Sequence, residues 1–297
     1  MAFSFPKVSI VIATYKNARI LRNVLQAMLK IDYPAGFEII VVDDGSGDNT
    51  VEMMQKEFGK EKKIKFKAFE KNQGVCKARN TGIAMASHPI IVNMDHDCVP
   101  EKKWLKELIK GFEDKEVGVV SSFGDYGGTS TAFRKELLEK VGGYDENYRY
   151  YREDTDLTFS VMDLGYKYKR LPEPMYFHDH TELKPKGFAA FVKYVLKRLD
   201  YHKNDVLLFK KHPKLAGKFL NVKLGFLVSP LSDFKVVANL WEGSSKKMEL
   251  SSPRGIIFIN NKTPLHTILI ILSGIVYVIA VKLFRLLGSI KFGKLLI

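Results

Sequence analysis

Val8-Ser9-Ile10-Val11-Ile12-Ala13-Thr14 is a short, β-branched and almost wholly apolar run. A strand with one wet face alternates apolar and polar residues, so a run without alternation fits a strand buried on both faces of a sheet. A helical period follows in Ile20, Leu21, Val24, Leu25 and Met28, and a second apolar run from Glu38 to Val42 stops at Asp43-Asp44-Gly45-Ser46. The pattern continues with a helix near 49–58, a strand near 64–69, a helix near 74–86, a strand at 90–94 and a helix near 101–112. This alternation predicts an α/β domain on a parallel sheet flanked by helices. No internal repeat or low-complexity tract interrupts it.

Charge divides the 297 residues into two halves. Residues 1–180 hold 27 Lys and Arg against 27 Asp and Glu, whereas 181–297 hold 20 against 6, so the net +14 is entirely C-terminal. A basic half beside a neutral one suits a polyanionic surface, either anionic lipid or nucleic acid. Two cysteines, Cys76 and Cys98, are too few for a disulfide framework, and no charged-then-apolar leader precedes Val8. The neutral half is therefore expected in a reducing cytosol.

In an open sheet of this kind ligands sit beyond the carboxyl ends of the strands, here Thr14-Tyr15, Asp43-Asp44 and Asp95-His96-Asp97. The last motif offers two carboxylates where a hard divalent cation, Mg²⁺ or Mn²⁺, could meet a diphosphate. Its bland alternative is a turn with helix-capping aspartates. Glu153-Asp154-Thr155-Asp156 puts three carboxylates at the start of a helix bearing Leu157, Val161 and Leu164. Capping and the helix dipole account for one or two of them, and a carboxylate at a helix start could act as general base towards an attacking hydroxyl. Asp43-Asp44-Gly45 can be a simple Asx-type turn. Asn72-Gln73-Gly74, followed by Lys77, Arg79 and Asn80, would open a helix whose free N–H groups favour phosphate or base edges. Arg79 can equally be a solvated helix residue. His178 and His180 follow a strand-like Pro174–Phe177, and imidazole is a further candidate metal ligand.

Six segments, Val8–Asn17, Glu38–Thr50, Asn72–Ile83, Asp95–Pro100, Gly142–Glu146 and Glu153–Leu157, occur in order at a familiar spacing. Together they resemble family 2 inverting glycosyltransferases of the GT-A fold, over about residues 5–182. The resemblance implies a Rossmann-like mixed sheet flanked by helices. It implies that Asp44 reads the nucleotide base, with Thr14, Tyr15, Asp43 and Arg79 on the nucleotide side. Asp95 and Asp97 look like the metal and diphosphate pair, Asp154 like the catalytic base, Glu153 like its neighbour, and His178 like a histidine closing over diphosphate and metal. The donor would be a nucleotide-diphosphate sugar, and the acceptor a hydroxyl of a glycan or lipid-linked molecule. Processive members carry a Gln/Arg-x-x-Arg-Trp segment, and neither Trp104 nor Trp241 stands in that context, which implies a single addition. Residues 121–131 would lie on the acceptor side, where Gly127-Gly128 suggests a mobile loop.

Beyond this domain, residues 183–263 read as a basic amphipathic helical region. Phe188, Phe191, Val192, Val195 and Leu199 recur at helical spacing, away from Lys193, Lys197, Arg198 and Lys203. Such a helix either covers the catalytic core or lies on lipid. Residues 264–297 read as a hydrophobic, membrane-associated segment: Leu265 to Val281 carries no Asp, Glu, Lys or Arg, but its 17 residues reach only about 26 Å as a helix. Lys246, Lys247, Arg254 and Lys262 precede it and Lys282, Arg285, Lys291 and Lys294 follow, so charge gives no orientation. A spanning helix, an in-plane or hairpin helix and a buried core helix stay open. The expected location is the cytoplasmic face of the cell membrane, against an anionic surface.

Three other readings compete. A sugar-nucleotide pyrophosphorylase should carry a Gly-rich basic loop after the first strand, which Ala13-Thr14-Tyr15-Lys16 lacks. A nucleic-acid-binding module without catalysis would be repelled at the acidic strand ends, so no nucleic-acid partner is expected. A polyprenyl-phosphate monosaccharide synthase is a variant of the main reading.

Overall fold

The structure, a computed structural model, describes residues 3–148, 150–172, 175–179, 187–237, 247–252, 255–260 and 264–297. His180, Trp241, Lys246, Arg254 and Lys262 lie outside them. The chain divides into two compact units, residues 1–183 and 184–297.

The first unit is a seven-stranded sheet in the order β3-β2-β1-β4-β7-β6-β8. Its first half is parallel: β1 (Val8–Thr14), β2 (Phe37–Asp43), β3 (Ile64–Ala68) and β4 (Ile90–Asn93). α1 (Ala18–Met28), α2 (Thr50–Met53), extended by a π-turn, and α3 (Val75–Met85) connect them. The β1 reading holds, since Ile10 and Ile12 join the core with Leu21, Val24 and Leu25 of α1, while Val11 is buried on the opposite face. Burial on both faces is why the run has no polar alternation.

The parallel order read from the strand–helix alternation is broken by one reversed strand, as in the mixed sheet that the resemblance implies. β5 (Cys98–Pro100) and α4 (Trp104–Lys110) lead to β6 (Val117–Ser121), and β7 (Thr131–Arg134) then runs antiparallel between β4 and β6. α5 (Lys135–Val141) and α6 (Glu153–Asp163) precede β8 (Lys167–Arg170), which pairs parallel with β6. β9 (Tyr176–His178) leaves the sheet and pairs antiparallel with β5. Because β7 is reversed, the 121–131 loop stands at the same end of the sheet as the end of β4, with Thr131 opposite both Asn93 and Ser121.

The second unit is mainly helical: α7 (Phe188–Asp200), α8 (Lys203–Lys211), α9 (Pro213–Phe219), the short pair β10 (Val222–Lys223) and β11 (Leu227–Val228), and α10 (Pro230–Val237). A hairpin of β12 (Lys247–Ser252) and β13 (Gly255–Asn260) precedes α11 (Pro264–Phe292). Within α11, Ile271–Phe292 is 22 residues with a mean hydropathy of 1.9, long and apolar enough to cross a membrane. Val278, Val281, Arg285 and Ser289 form a buried stripe on it, and Leu272, Ile275, Ile279, Leu283, Leu286 and Ile290 an exposed apolar one. Both follow the 3.6-residue period. On the buried side, Arg285 bonds Asp205 at 2.9 Å and Asp233 at 2.7 Å. The chain end folds back, with Ile297 pairing to Phe226 and Val228. In α7, Phe188 is 82% exposed and Phe191 is exposed too.

Candidate active site

β1 and β2 deliver Thr14 opposite Asp43 in register, and the Asp44 N–H donates to the Thr14 carbonyl at 2.9 Å. Thr14 Oγ1 is buried with no hydrogen-bond partner among the described residues. Tyr15 is exposed beside it. Asp43 turns inward and accepts from the Ser46 hydroxyl and, at 3.3 Å, from the Ser46 N–H. Burial pushes the Asp43 carboxyl up, against the Ser46 bonds.

Asp44 accepts from the backbone N–H of Gln73 at 2.7 Å, that of Gly74 at 3.0 Å, and the Asn72 amide at 2.8 Å. Burial raises this carboxyl as well, and the two N–H bonds oppose the rise. The free N–H groups expected at the Asn72-Gln73-Gly74 helix start are thus partly taken by a carboxylate of the chain itself. Gly45 makes the approach possible: its φ is +68°, and an added Cβ would stand 2.4 Å from the Lys71 carbonyl carbon.

Arg79, on α3, is the centre of the cluster. Its guanidinium is 7% exposed and bonds Asp95 Oδ1 at 2.9 Å and Asp154 Oδ1 at 2.9 Å, with Glu153 at 3.5 Å. Burial alone would lower its pKa, and Asp154, Tyr144, Asp95 and Glu153 outweigh it, holding Arg79 charged. Arg79, which the resemblance puts on the nucleotide side, joins three carboxylates here, as a buried cation requires paired anions.

Asp154, in the first turn of α6, has a side chain 18% exposed. Its Oδ1 accepts from Arg79 at 2.9 Å and from the Tyr144 hydroxyl at 3.0 Å, while Oδ2 has no partner among the described residues. Burial and the neighbouring carboxylates hold the Tyr144 phenol well above its usual pKa despite Arg79, so it remains a donor. Glu153 is buried behind Asp154, and Asp156 accepts from the Tyr148 hydroxyl at 3.0 Å. Of the three acids of this helix start, Glu153 and Asp156 are both turned into the interior.

Tyr144 lies in the Gly142–Glu146 segment, to which the sequence reading gave no role. It is fixed by Asn80, which accepts from the Tyr144 N–H at 2.8 Å and donates to its carbonyl at 2.9 Å. The Asn80 beside Arg79 was the available signal, but its partner lies 64 residues away. The 121–131 loop also reaches α6, since a Cβ on Gly127 would meet the Asp154 carbonyl oxygen at 2.9 Å. Gly127 thus serves close packing against that helix, and Gly128 close packing against Phe123.

On the metal side, Asp95 is 37% exposed, and its Oδ2 has no partner among the described residues. His178 Nε2 lies 3.2 Å from Asp97 Oδ1. Burial would raise the Asp97 carboxyl, but the His178 bond and the charges of His96 and His178 bring it below the usual value. Two carboxylates and an imidazole near one strand end are donors of the kind a hard divalent cation such as Mg²⁺ or Mn²⁺ takes, and of the three Asp97 and His178 share a cluster of ligand atoms within 4.8 Å of one another. The β5–β9 pair builds this contact by setting Cys98 directly opposite His178. Burial pushes the thiols of Cys98 and Cys76 well up.

The sequence profile described as Glycosyl transferase family 2 matches residues 9–166. The chain belongs to that family. Among curated relatives, the probable glycosyltransferase YdaM of Bacillus subtilis is 28% identical over 219 residues, 60% of this chain and 51% of YdaM. Glycosyltransferase AglE of Haloferax volcanii is 31% identical over 121 residues, 40% of each chain. Poly-β-1,6-N-acetyl-D-glucosamine synthase of Staphylococcus epidermidis is 37% identical over 115 residues, 38% of this chain and 27% of the synthase. The chain spans about half the length, or less, of these relatives.

Two solved structures share the fold. The mannosyltransferase PcManGT from Pyrobaculum calidifontis, in complex with GDP-Man and Mn²⁺, has a TM-score of 0.63 at 18% identity, covering 95% of this chain and 88% of that one. TarS 1–349 of S. aureus, in complex with UDP-GlcNAc, has a TM-score of 0.52 at 19% identity, covering 78% and 84%. The mixed, mostly parallel sheet of this family member is a GT-A sheet.

Proposed function

We propose that this family 2 member transfers one sugar, with inversion, from a nucleotide-diphosphate sugar to a hydroxyl of a glycan or lipid-linked acceptor. The observation that carries the reading is the Arg79 bridge, which ties Asp95 at the donor end to Asp154 at the start of α6. Thr14, Tyr15, Asp43 and Asp44 would hold the nucleotide, the unpartnered Thr14 hydroxyl being one group left for it. Asp95, Asp97 and His178 would hold Mg²⁺ or Mn²⁺, which when bound neutralises charge on the diphosphate. Asp154 takes the acceptor proton on Oδ2 while Tyr144 and Arg79 fix Oδ1, and Glu153 backs it. The acceptor oxygen then bonds the anomeric carbon from the face opposite the breaking carbon–oxygen bond, and the nucleoside diphosphate departs.

The reading extends to an anionic membrane surface at the cytoplasmic face. Because Arg285 and Ser289 are buried within the second unit and the chain end is folded back, α11 is proposed to lie in the membrane plane on its exposed stripe. Spanning would put the Arg285 cluster in lipid.

A panel of nucleotide sugars, read as released nucleoside diphosphate with candidate acceptors, tests the activity. Turnover should appear with at least one donor, vanish in excess chelator and in Asp97→Ala, and return on adding Mn²⁺ to the native chain. Full activity in excess chelator would overturn the metal assignment, and no turnover with any donor the activity.

A further inference from the structure

Beside the two metal-side acids stands a sulfur that the proposed chemistry does not use. The ligand atoms of Asp97, Cys98 and His178 all lie within 4.8 Å of one another. Asp97 Oδ1 is 3.2 Å from His178 Nε2 and 3.8 Å from Cys98 Sγ. A tetrahedral zinc ion with its usual bond lengths sets nitrogen and oxygen ligands about 3.3 Å apart and sulfur and oxygen about 3.6 Å apart. Two of the three ligand spacings therefore need only a few tenths of an ångström of adjustment.

The scaffold is built independently of any ion. Cys98 and His178 are a direct cross-strand pair of β5 and β9, and the Asp179 N–H donates to the Asp97 carbonyl at 2.8 Å. Thr129 Oγ1 lies 3.4 Å from Cys98 Sγ, in position to donate to a thiolate. A hydrogen-bond donor behind a ligating sulfur is the usual support of a metal thiolate. Asp97 and His178 are partly exposed, which gives an ion a way in, and three protein donors leave a fourth position open.

We propose that Asp97, Cys98 and His178 form a binding site for a thiophilic divalent ion, Zn²⁺ or Cd²⁺, with one carboxylate oxygen, one thiolate sulfur and one imidazole nitrogen as ligands. The metal–sulfur bond forms as the thiol proton leaves to solvent. Mg²⁺ and Mn²⁺ prefer oxygen and have no use for the sulfur. Because the site shares Asp97 and His178 with the proposed diphosphate cation site, a bound thiophilic ion competes with that cation. This consequence rests on the proposed function, whereas the binding itself does not.

Co²⁺ is the probe, since a cobalt–thiolate bond gives a near-ultraviolet charge-transfer band that oxygen and nitrogen ligands do not. Titrated into the full chain, Co²⁺ should raise that band to saturation at one equivalent, and Zn²⁺ or Cd²⁺ should abolish it. The chain holds only two cysteines, so Cys76→Ser should keep the band and Cys98→Ser lose it. His178→Ala should weaken Co²⁺ binding by roughly tenfold or more. If Cys98→Ser does not fold, the Cys76→Ser chain, with Cys98 its sole thiol, carries the assignment. A folded native chain without the band at saturating Co²⁺, or a band surviving in Cys98→Ser, overturns the proposal. Turnover without the band refutes this site alone, and the band without turnover refutes the proposed function alone.

Discussion

Each unit of the chain holds a buried arginine between aspartates, and the two are used differently. Arg285 meets Asp205 and Asp233, whose side chains are 0% and 7% exposed. Arg79 meets Asp95 and Asp154, each of which keeps one carboxylate oxygen unpartnered among the described residues. A closed ion cluster consumes all its charge in holding helices together. An open one leaves acceptor atoms facing a site, which is where catalytic carboxylates are expected. The same pairing chemistry thus forms a closed clasp in one unit and, in the other, leaves carboxylate oxygens for the candidate site.

Breaking the clasp should give the largest effect on stability. Arg285→Met leaves two buried aspartates without their cation, at a cost of about 3–5 kcal/mol. Denaturant unfolding should show the second unit loosened, with donor turnover by the first unit retained. An unchanged unfolding profile would mean that the clasp is not closed in solution.

The converse change is Arg79→Lys, which keeps the charge but loses the planar fork that reaches both carboxylates. Transfer should fall by about 10²-fold, equivalent to about 2.7 kcal/mol, through misplacement of Asp154. Its effect on unfolding should be smaller than that of Arg285→Met. Native activity in Arg79→Lys would remove the bridge from the account.

The smallest increments concern the basic surface of the second unit. Each Lys or Arg near an anionic leaflet contributes about 1 kcal/mol, and salt screens it. Binding of the full chain to anionic vesicles should weaken in high salt yet persist, and Leu272→Ser with Ile279→Ser should reduce what persists. Equal binding to neutral and anionic vesicles would discard the charge contribution, and no binding to either the in-plane helix.

Much of the parallel half of the sheet could be read from the chain because local chemistry determines it. Val8–Thr14 and Glu38–Val42 are buried on both faces, and the acids following them sit at strand ends by topology alone. The reversed strand was not legible in the alternation, since β7 is four residues long and its place between β4 and β6 depends on contacts distant in sequence. The same limit explains the site. Asp95, Asp97 and Asp154 announce themselves as acids in short motifs, but Tyr144 is an ordinary tyrosine until Asn80 and Asp154 close on it. Arg79 was visible as a cation on a helix, while its three carboxylate partners come from two segments 16 and about 75 residues on. In α11, the uncharged run stopped the eye at Val281, yet the helix continues to Phe292 because its later charges are placed on the packed face or at the end.

The most direct test of the account is Asp154→Asn, with donor affinity and sugar transfer measured on the same folded protein. The amide retains the shape and can still accept from Tyr144 and Arg79 through its carbonyl, but it cannot take the acceptor proton. The account predicts donor affinity within about threefold of native and transfer reduced by about 10²-fold or more. Transfer at the native rate, or a loss of donor binding as large as the loss of transfer, would contradict it.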